Sequence, residues 1–417
     1  MPDKTFEVLV VGAGPAGLAA ACCASEAGRR TAVLDDNPAP GGQIWRGEGR
    51  RSSSPQAAYW LDRLRRSRAE VLCGVRVVAD AGPGALLVDR DQDFFEVRYN
   101  TLILATGARE RFLPFPGWTL PNVIGAGGLQ ALVKAGLPIV GQTVAVAGSG
   151  PLLLAVAAFL KKRGARVVLI AEQAPFPRLV RFGLGLMTEP AKLREALRLR
   201  WQLGGIRYRT GCWPLAAKGD DRLRGVTFSD GRKSWKQSCD YLACGFGLVP
   251  NLELPSLLGC EIRNGAVRVD EWQQTTIAGV LCAGETTGVG GLELALAEGQ
   301  IAGWSAAGRH EHARALFGER ARALRFKESL DRAFALRDEL KTLVEADTLV
   351  CRCEDVPFHR LHKHESWRAA KLQTRCGMGP CQGRVCGPAV EFLLGWRVES
   401  VRPPILPIPL GRLAGRD

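Results

Sequence analysis

The stretch FEVLVVGAGPAGLAAACCASEAGRRTAVLDDNPAPGGQ, Phe6 to Gln43, carries the strongest signal in the chain. An apolar strand, Val8 to Val11, runs into Gly12-x-Gly14-x-x-Gly17, an alanine-rich helix follows, and a second strand, Thr31 to Leu34, ends at Asp35. A glycine triplet alone is weak. Placed between a strand and a helix, with an acid closing the next strand, it reads as a dinucleotide fingerprint. Gly12 makes the tight turn, Gly14 lets a pyrophosphate approach the backbone, and Gly17 lets the helix pack on the strand. Pro15 and Ala16 open that helix, whose free N–H groups face the phosphates. Asp35 lies 18 residues beyond Gly17, in register for ribose hydroxyls.

Two further segments bear on which dinucleotide binds. TLILATGARER, Thr101 to Arg111, is an apolar strand ending in Ala-Thr-Gly. GVLCAGETTGVGGLELALAEGQIAG, Gly279 to Gly303, is a strand, an acidic turn at Gly284-Glu285, then a helix. Both resemble segments of the flavoproteins related to glutathione and thioredoxin reductases. That resemblance implies FAD at the first site, with Thr106, Gly107, Gly284 and Glu285 beside it and Glu285 on the ribityl chain. It also implies that Gly42 and Gln43, in the loop Pro40 to Gln43, lie by the flavin.

The scheme repeats in QTVAVAGSGPLLLAVAAFLKKRGARVVLIAEQ, Gln142 to Gln173. A strand leads to Gly148-x-Gly150-Pro151, then a helix, then a strand ending at Glu172. Leu153 replaces the third glycine and should push helix and strand slightly apart. Glu172 would accept from ribose hydroxyls and repel a 2′-phosphate, so NAD or another adenine nucleotide such as ATP is favoured over NADP. An empty, degenerate site is the alternative. The expected fold class is α/β: two Rossmann-like dinucleotide-binding domains, one inserted in the other, plus a small C-terminal helical domain. Residues 1–108 and 246–310 would form the FAD domain, 109–245 the insertion, 311–346 connecting helices, 347–395 the C-terminal domain and 396–417 a proline-rich tail.

With 417 residues, two or three domains are expected. The start MPDKTFEVLVVGAG carries no secretion signal, and nothing approaches a run of roughly 20 apolar residues. A cytoplasmic protein is expected, with peripheral membrane association left open. The formal charge of +14 comes from dispersed arginines without a nucleic-acid motif, so nucleic acid is not an expected partner. Thirteen cysteines, an odd number without a signal peptide, argue against a disulfide framework. No close pair of redox cysteines occurs in GGQIWRGEGRR or NVIGAGGLQAL, and Cys22 and Cys23 are adjacent on a helix. A thiol–disulfide reductase is therefore disfavoured.

Five cysteines gather near the end, in VCRCEDV (Cys351, Cys353) and TRCGMGPCQGRVCGP (Cys376, Cys381, Cys386). Thiolates suit zinc and iron–sulfur centres alike, and the one-residue gap of CxC is less usual for zinc. The run resembles the bacterioferritin-associated ferredoxin (BFD-like) 2Fe–2S module: CxC, a helical spacer, then a glycine-flanked second pair. Four metal ligands are expected, Cys351, Cys353, Cys381 and Cys386, with Cys376 as a neighbouring thiol. Gly377, Gly379 and Gly383 would free backbone N–H groups to face sulfur, and a helix starting near Pro388 would add its positive end.

Nearly the whole chain, down to GMGPCQGRVCG and the tail RPPILPIPLG, resembles the α subunit of the heteromeric flavin dehydrogenases that oxidise amino acids and opines. That family includes subunits of hydrogen cyanide synthase, nopaline/octopine oxidase and the D-hydroxyproline and L-proline dehydrogenases. The resemblance implies an electron-transfer subunit carrying FAD and a 2Fe–2S centre. Substrate would be oxidised on a D-amino-acid-oxidase-like FAD protein, the β subunit, and a small ferredoxin-like γ subunit would complete the complex. No segment stands out as a catalytic base or carboxylate clamp, and the sequence names no catalytic residue. The alternatives are a self-sufficient NADH-dependent flavin/iron–sulfur reductase and a zinc-filled scaffold.

Overall fold

A computed structural model of the chain describes residues 4–47, 54–90, 93–398, 400–409 and 411. The chain forms two compact units, the first from residues 1–109, 249–327 and 399–417, the second from 110–248 and 328–398. In the first, the fingerprint becomes β1 (Lys4–Val11), α1 (Pro15–Glu26) and β2 (Thr31–Asp35). Helix α2 (Pro55–Arg66) follows, then strands β3 (Glu70–Cys73), β4 (Arg76–Asp80), β5 (Ala85–Arg90) and β6 (Asp93–Leu104). The sheet order is β3-β2-β1-β6-β5-β4, with the late strand Val280–Cys282 on β6. The strands around β1 run parallel, in register Val8↔Thr31 and Val8↔Thr101, and β4–β5–β6 are antiparallel.

Helix α1 is apolar all round, and every residue from Ala16 to Ser25 is buried. A helix with no wet face needs covering on both sides. The sheet covers one side and the helix Leu292–Ala306 the other. The two helices approach so closely that a Cβ on Gly299 would sit 2.2 Å from Ala16 O, and one on Gly303 2.3 Å from Ala20 O. Alanine and glycine facing each other are what allow two backbones to come that near.

The second unit carries a five-stranded parallel sheet in the order 207–210, 166–172, 143–149, 241–246, 123–125. An antiparallel three-stranded sheet of Trp213–Lys218, Gly225–Ser229 and Ser234–Ser238 adjoins it. Leu153 is 1% exposed, filling with Val156, Ala157 and Leu160 the space that a third glycine would have closed.

The five segments read from the sequence are thus distributed over two units. Leu340 and Leu343, from the connecting stretch, lie in the core of the second unit with Leu113 and Phe115. Trp118 Nε1 donates to Leu349 O at 2.6 Å, tying the cysteine-rich segment to the inserted one. The proline-rich tail contributes Ile405, whose N–H donates to Val78 O at 2.8 Å and whose side chain joins the core under β4 and β5.

Candidate functional site

The first site is built where β1, β2 and β6 end. Gly12 turns at φ +107°, and a Cβ there would meet Ala105 O at 2.2 Å; one on Gly17 would meet Gly12 O at 1.7 Å. Both glycines are demanded by the chain's own backbone. Gly14, the N-cap of α1, differs: its nearest neighbour is Gly42 Cα, 4.0 Å from where its Cβ would be. The 40–43 loop therefore lies across the glycine turn, held by Gly41 N donating to Ala13 O at 2.8 Å, and Gln43 accepts from Arg46 Nη2 at 3.0 Å. Pro15 fills the first turn of α1. Asp35, 6% exposed, accepts from Ala13 N at 2.5 Å and from Asn37 N at 2.8 Å. One carboxylate oxygen thus steadies the turn that it faces.

Thr106 and Gly107 join this cradle to the late segment. Thr106 Oγ1 donates to Asn251 O at 2.9 Å, Gly107 N donates to Thr286 Oγ1 at 3.0 Å, and Asn251 Nδ2 returns to Thr106 O at 2.8 Å. Gly284 turns at φ +76° and donates its N–H to Glu298 Oε2 at 2.9 Å. Ala16 stands against it, since a Cβ on Gly284 would lie 2.6 Å from Ala16 Cβ. Glu298 is 2% exposed; it also accepts from Thr287 Oγ1 at 2.6 Å and faces Arg320 at 3.6 Å. Glu285 is the outlier. Burial raises its carboxyl, and that side-chain group has no hydrogen-bond or ion-pair partner among the described residues. A half-buried acceptor without a donor, beside a turn that a Cβ would fill, fits a polyhydroxyl group from a dinucleotide.

At the second site, Gly148 (φ +133°) is dictated by the neighbouring strand, for a Cβ would lie 1.7 Å from Gly245 O. Above Gly150 there is open space, with no heavy atom within 4 Å of a built Cβ. Pro151 caps the helix Leu152–Lys162. Glu172, 1% exposed, accepts from Gly150 N and from Ala174 N, each at 2.8 Å. Burial pushes its carboxyl up to about 7. One oxygen is turned onto the glycine loop and the other onto the backbone just past its own strand, a tighter engagement than the sequence suggests. The open loop and its glycine turn fit an adenine nucleotide.

The cysteine-rich segment brings five thiols together. Cys351 ends the strand Leu349–Cys351 and Cys386 starts the helix Cys386–Leu394, two residues before Pro388. Cys376 follows the left-handed Arg375 that stops the helix Trp367–Thr374. The sulfurs of Cys351, Cys376 and Cys386, all buried, lie within 4.8 Å of one another. Cys353 is exposed and shares a hydrogen bond with Cys381, which in turn pairs with Cys386. Thiol donors at Cys376 and Cys386 hold Cys351 far below its ordinary value, and Cys386 holds Cys381 down to about 5. Cys376, which donates to Cys351, rises to about 12.

Backbone N–H groups of Gly377 and Glu354 point at the Cys351 sulfur, and those of Val385 and Gly383 at Cys381. Gly377 and Gly379 are needed for the fit, since a Cβ would lie 2.6 Å from the Trp367 ring and 2.3 Å from Cys353 Cβ respectively. Soft thiolates ringed by amides fit a thiophilic metal centre. By contrast Cys22 and Cys23 are buried inside α1, with thiols pushed up to about 12 by desolvation.

Sequence patterns do not mark Asn251, Thr286, Glu298 or Arg320, and they set Cys376 aside from the expected four ligands. Glu298 had a signal: it is the lone acid inside the apolar run LALAEGQIAG. Asn251 and Thr286 had none, because their roles exist only once distant strands meet.

Residues 6–310 match the family described as pyridine nucleotide-disulphide oxidoreductase. The HcnB component of hydrogen cyanide synthase from Pseudomonas aeruginosa is 33% identical, covering 96% of this chain and 97% of its own. An opine oxidase subunit from Rhizobium meliloti is 31% identical, covering 98% of both chains. Among solved structures, L-proline dehydrogenase from P. horikoshii superposes with a TM-score of 0.67 at 19% identity, over 99% of this chain and 80% of that one.

Proposed function

The chain belongs to the pyridine nucleotide-disulphide oxidoreductase family, and on that basis we propose that it is the electron-transfer subunit of a heteromeric dehydrogenase oxidising an amino acid or an opine. Its full-length relatives are subunits of a hydrogen cyanide synthase and of opine oxidases, so the chain is an oxidoreductase of that class. The observation that supports the finer reading is the buried cluster of Cys351, Cys376 and Cys386, with Cys381 bonded to Cys386 and Cys353 to Cys381, in a chain that also holds a dinucleotide cradle.

FAD would be held by Gly12, Gly14, Pro15, Ala16, Gly17, Asp35, Gly42, Gln43, Thr106, Gly107, Gly284 and Glu285. An adenine nucleotide would be held by Gly148, Gly150, Pro151 and Glu172. A 2Fe–2S centre would be held by Cys351 and Cys386 on the buried side and by Cys353 and Cys381 on the exposed side. When bound, the flavin supplies two-electron and one-electron redox chemistry and the iron–sulfur centre single-electron transfer.

The chain's own part is to hold and insulate. Asp35 and Glu285 present acceptors to sugar hydroxyls, and the amides of Gly377, Glu354, Gly383 and Val385 offset sulfur charge. Arg375 is engaged with Glu354 at 2.7 Å, and Arg384 Nη1 reaches Cys381 O at 3.5 Å. Oxidation of the nitrogen-bearing carbon is assigned to a D-amino-acid-oxidase-like β subunit, with a short ferredoxin-like γ subunit beside it.

The test is dye reduction by D-hydroxyproline, proline, octopine or nopaline, with the chain alone and co-expressed with neighbouring subunits. Turnover only in the complex, with iron and acid-labile sulfide in this chain, is the expected result. Full turnover by the isolated chain, or zinc in place of iron, would overturn it. Bleaching of the flavin by stoichiometric NADH would favour the self-sufficient reductase.

A further inference from the structure

Two helices of the second unit, Phe176–Gly185 and Pro190–Gln202, contain no fully buried residue. Six of the fifteen large apolar side chains that are exposed among the described residues fall within this one segment. Trp201 is 83% exposed, and Phe176, Leu184, Met187 and Leu197 are each at least 60% exposed. An inner apolar row is already seated, with Phe182 against Phe334 at 5.5 Å and Leu186, just past the first helix, buried. Phe176, Val180 and Leu184, spaced by four residues, form a second row turned to the outside. Leu197 and Trp201 repeat that spacing on the second helix.

Charge accompanies the apolar rows. Residues 176–202 carry six basic side chains and two acidic ones. On helical spacing, Arg178 continues the seated row of Phe182 and Leu186 and donates to Ala335 O at 3.2 Å, whereas Arg181 lies on the flank between that row and the outer one, and Arg194 and Arg198 flank Trp201. Arg181, Arg198 and Arg200 form no ion pair among the described residues. No described helix is long and apolar enough to cross a bilayer.

We propose that this helix pair is a docking face for the surface of an anionic lipid bilayer, lying in the interface plane. Helices of this kind sink aromatic and aliphatic side chains into the headgroup–acyl boundary while arginines extend to lipid phosphates. The surplus of positive charge along the segment, within a chain of net charge +14, selects acidic lipid over neutral lipid. The apolar side chains form exposed rows on two helices, which suits a fluid surface better than a shaped protein partner.

The experiment is co-sedimentation of the full-length purified protein with vesicles of phosphatidylcholine plus phosphatidylglycerol, against phosphatidylcholine alone, at low and high salt. The expected result is pelleting with the anionic vesicles, weakened by salt, and little with the neutral ones. Leu184→Asn with Trp201→Asn should lower partitioning about tenfold or more, and Arg181→Gln with Arg198→Gln should lower it and flatten its salt dependence. All four positions are solvent-facing, so unchanged melting curves separate lost docking from lost fold. Pelleting with neither vesicle, or equally with both, would overturn the proposal. So would a dimer seen by light scattering that the apolar substitutions abolish while vesicle binding is absent, which would assign the face to a second copy.

Discussion

Cys376 sits where a ligand could, its sulfur packed against those of Cys351 and Cys386. Four thiolates complete a 2Fe–2S centre, and in the proposed arrangement Cys351, Cys353, Cys381 and Cys386 would supply them. Cys376→Ala is therefore expected to keep iron and acid-labile sulfide, whereas Cys386→Ala and Cys353→Ala lose both; metal analysis after anaerobic reconstitution decides it. At the other end of the titration range, burial lifts Glu172 from 4.5 to about 7. Between those values the folded chain binds a proton that the unfolded chain has released. The stability this proton contributes is full below 4.5 and is lost as pH rises through about 7. Melting temperature should fall from mildly acid to mildly alkaline buffer, by an amount worth on the order of 3 kcal/mol at this site. Glu172→Gln should make that slope shallower, at some cost in stability, since its amide nitrogen cannot accept from both Gly150 N and Ala174 N. An unchanged slope would mean that the carboxyl ionises normally. Glu110, Glu285 and Glu298, also raised by burial, leave a residual slope of the same sign.

Helix α1 and the helix Leu292–Ala306 are held at a separation that only glycine permits at two points. Gly299→Ala and Gly303→Ala would each drive a methyl group into a backbone carbonyl of α1. Overpacking of this kind costs about 1–3 kcal/mol, and because α1 begins at the glycine turn, flavin retention should fall along with the melting temperature. Gly318→Ala, in a helix where a Cβ would meet nothing within 4 Å, is the control and should be neutral or slightly stabilising. Among the elements, most of the fold is legible in the sequence. Strand, glycine turn, helix, strand and acid follow each other at fixed spacing twice, and both repeats are built as read. What spacing does not reveal is partner choice: nothing in LALAEGQIAG says that its glycines face Ala16 and Ala20.

Across the full chain, the two proposed nucleotide sites fall in separate compact units and should answer to separate ligands. FAD at about a hundred times its dissociation constant adds about 2.7 kcal/mol to whatever folds with it. Calorimetry should show FAD raising one transition and ATP or NAD raising another. Asp35→Ala should abolish the first response and spare the second, and a single transition moved equally by both ligands would count against separate sites. The two dinucleotide folds and the cysteine-bearing end could both be read from the order of residues, because each is written in local spacing that a turn, a helix or a strand must obey. That Cys376 joins Cys351 and Cys386, that Glu298 braces the Gly284–Glu285 turn, and that the tail belongs to the first unit emerged with the folded chain. Those contacts join residues far apart in sequence, and a pairing of that kind exists only after the segments between them have taken their places.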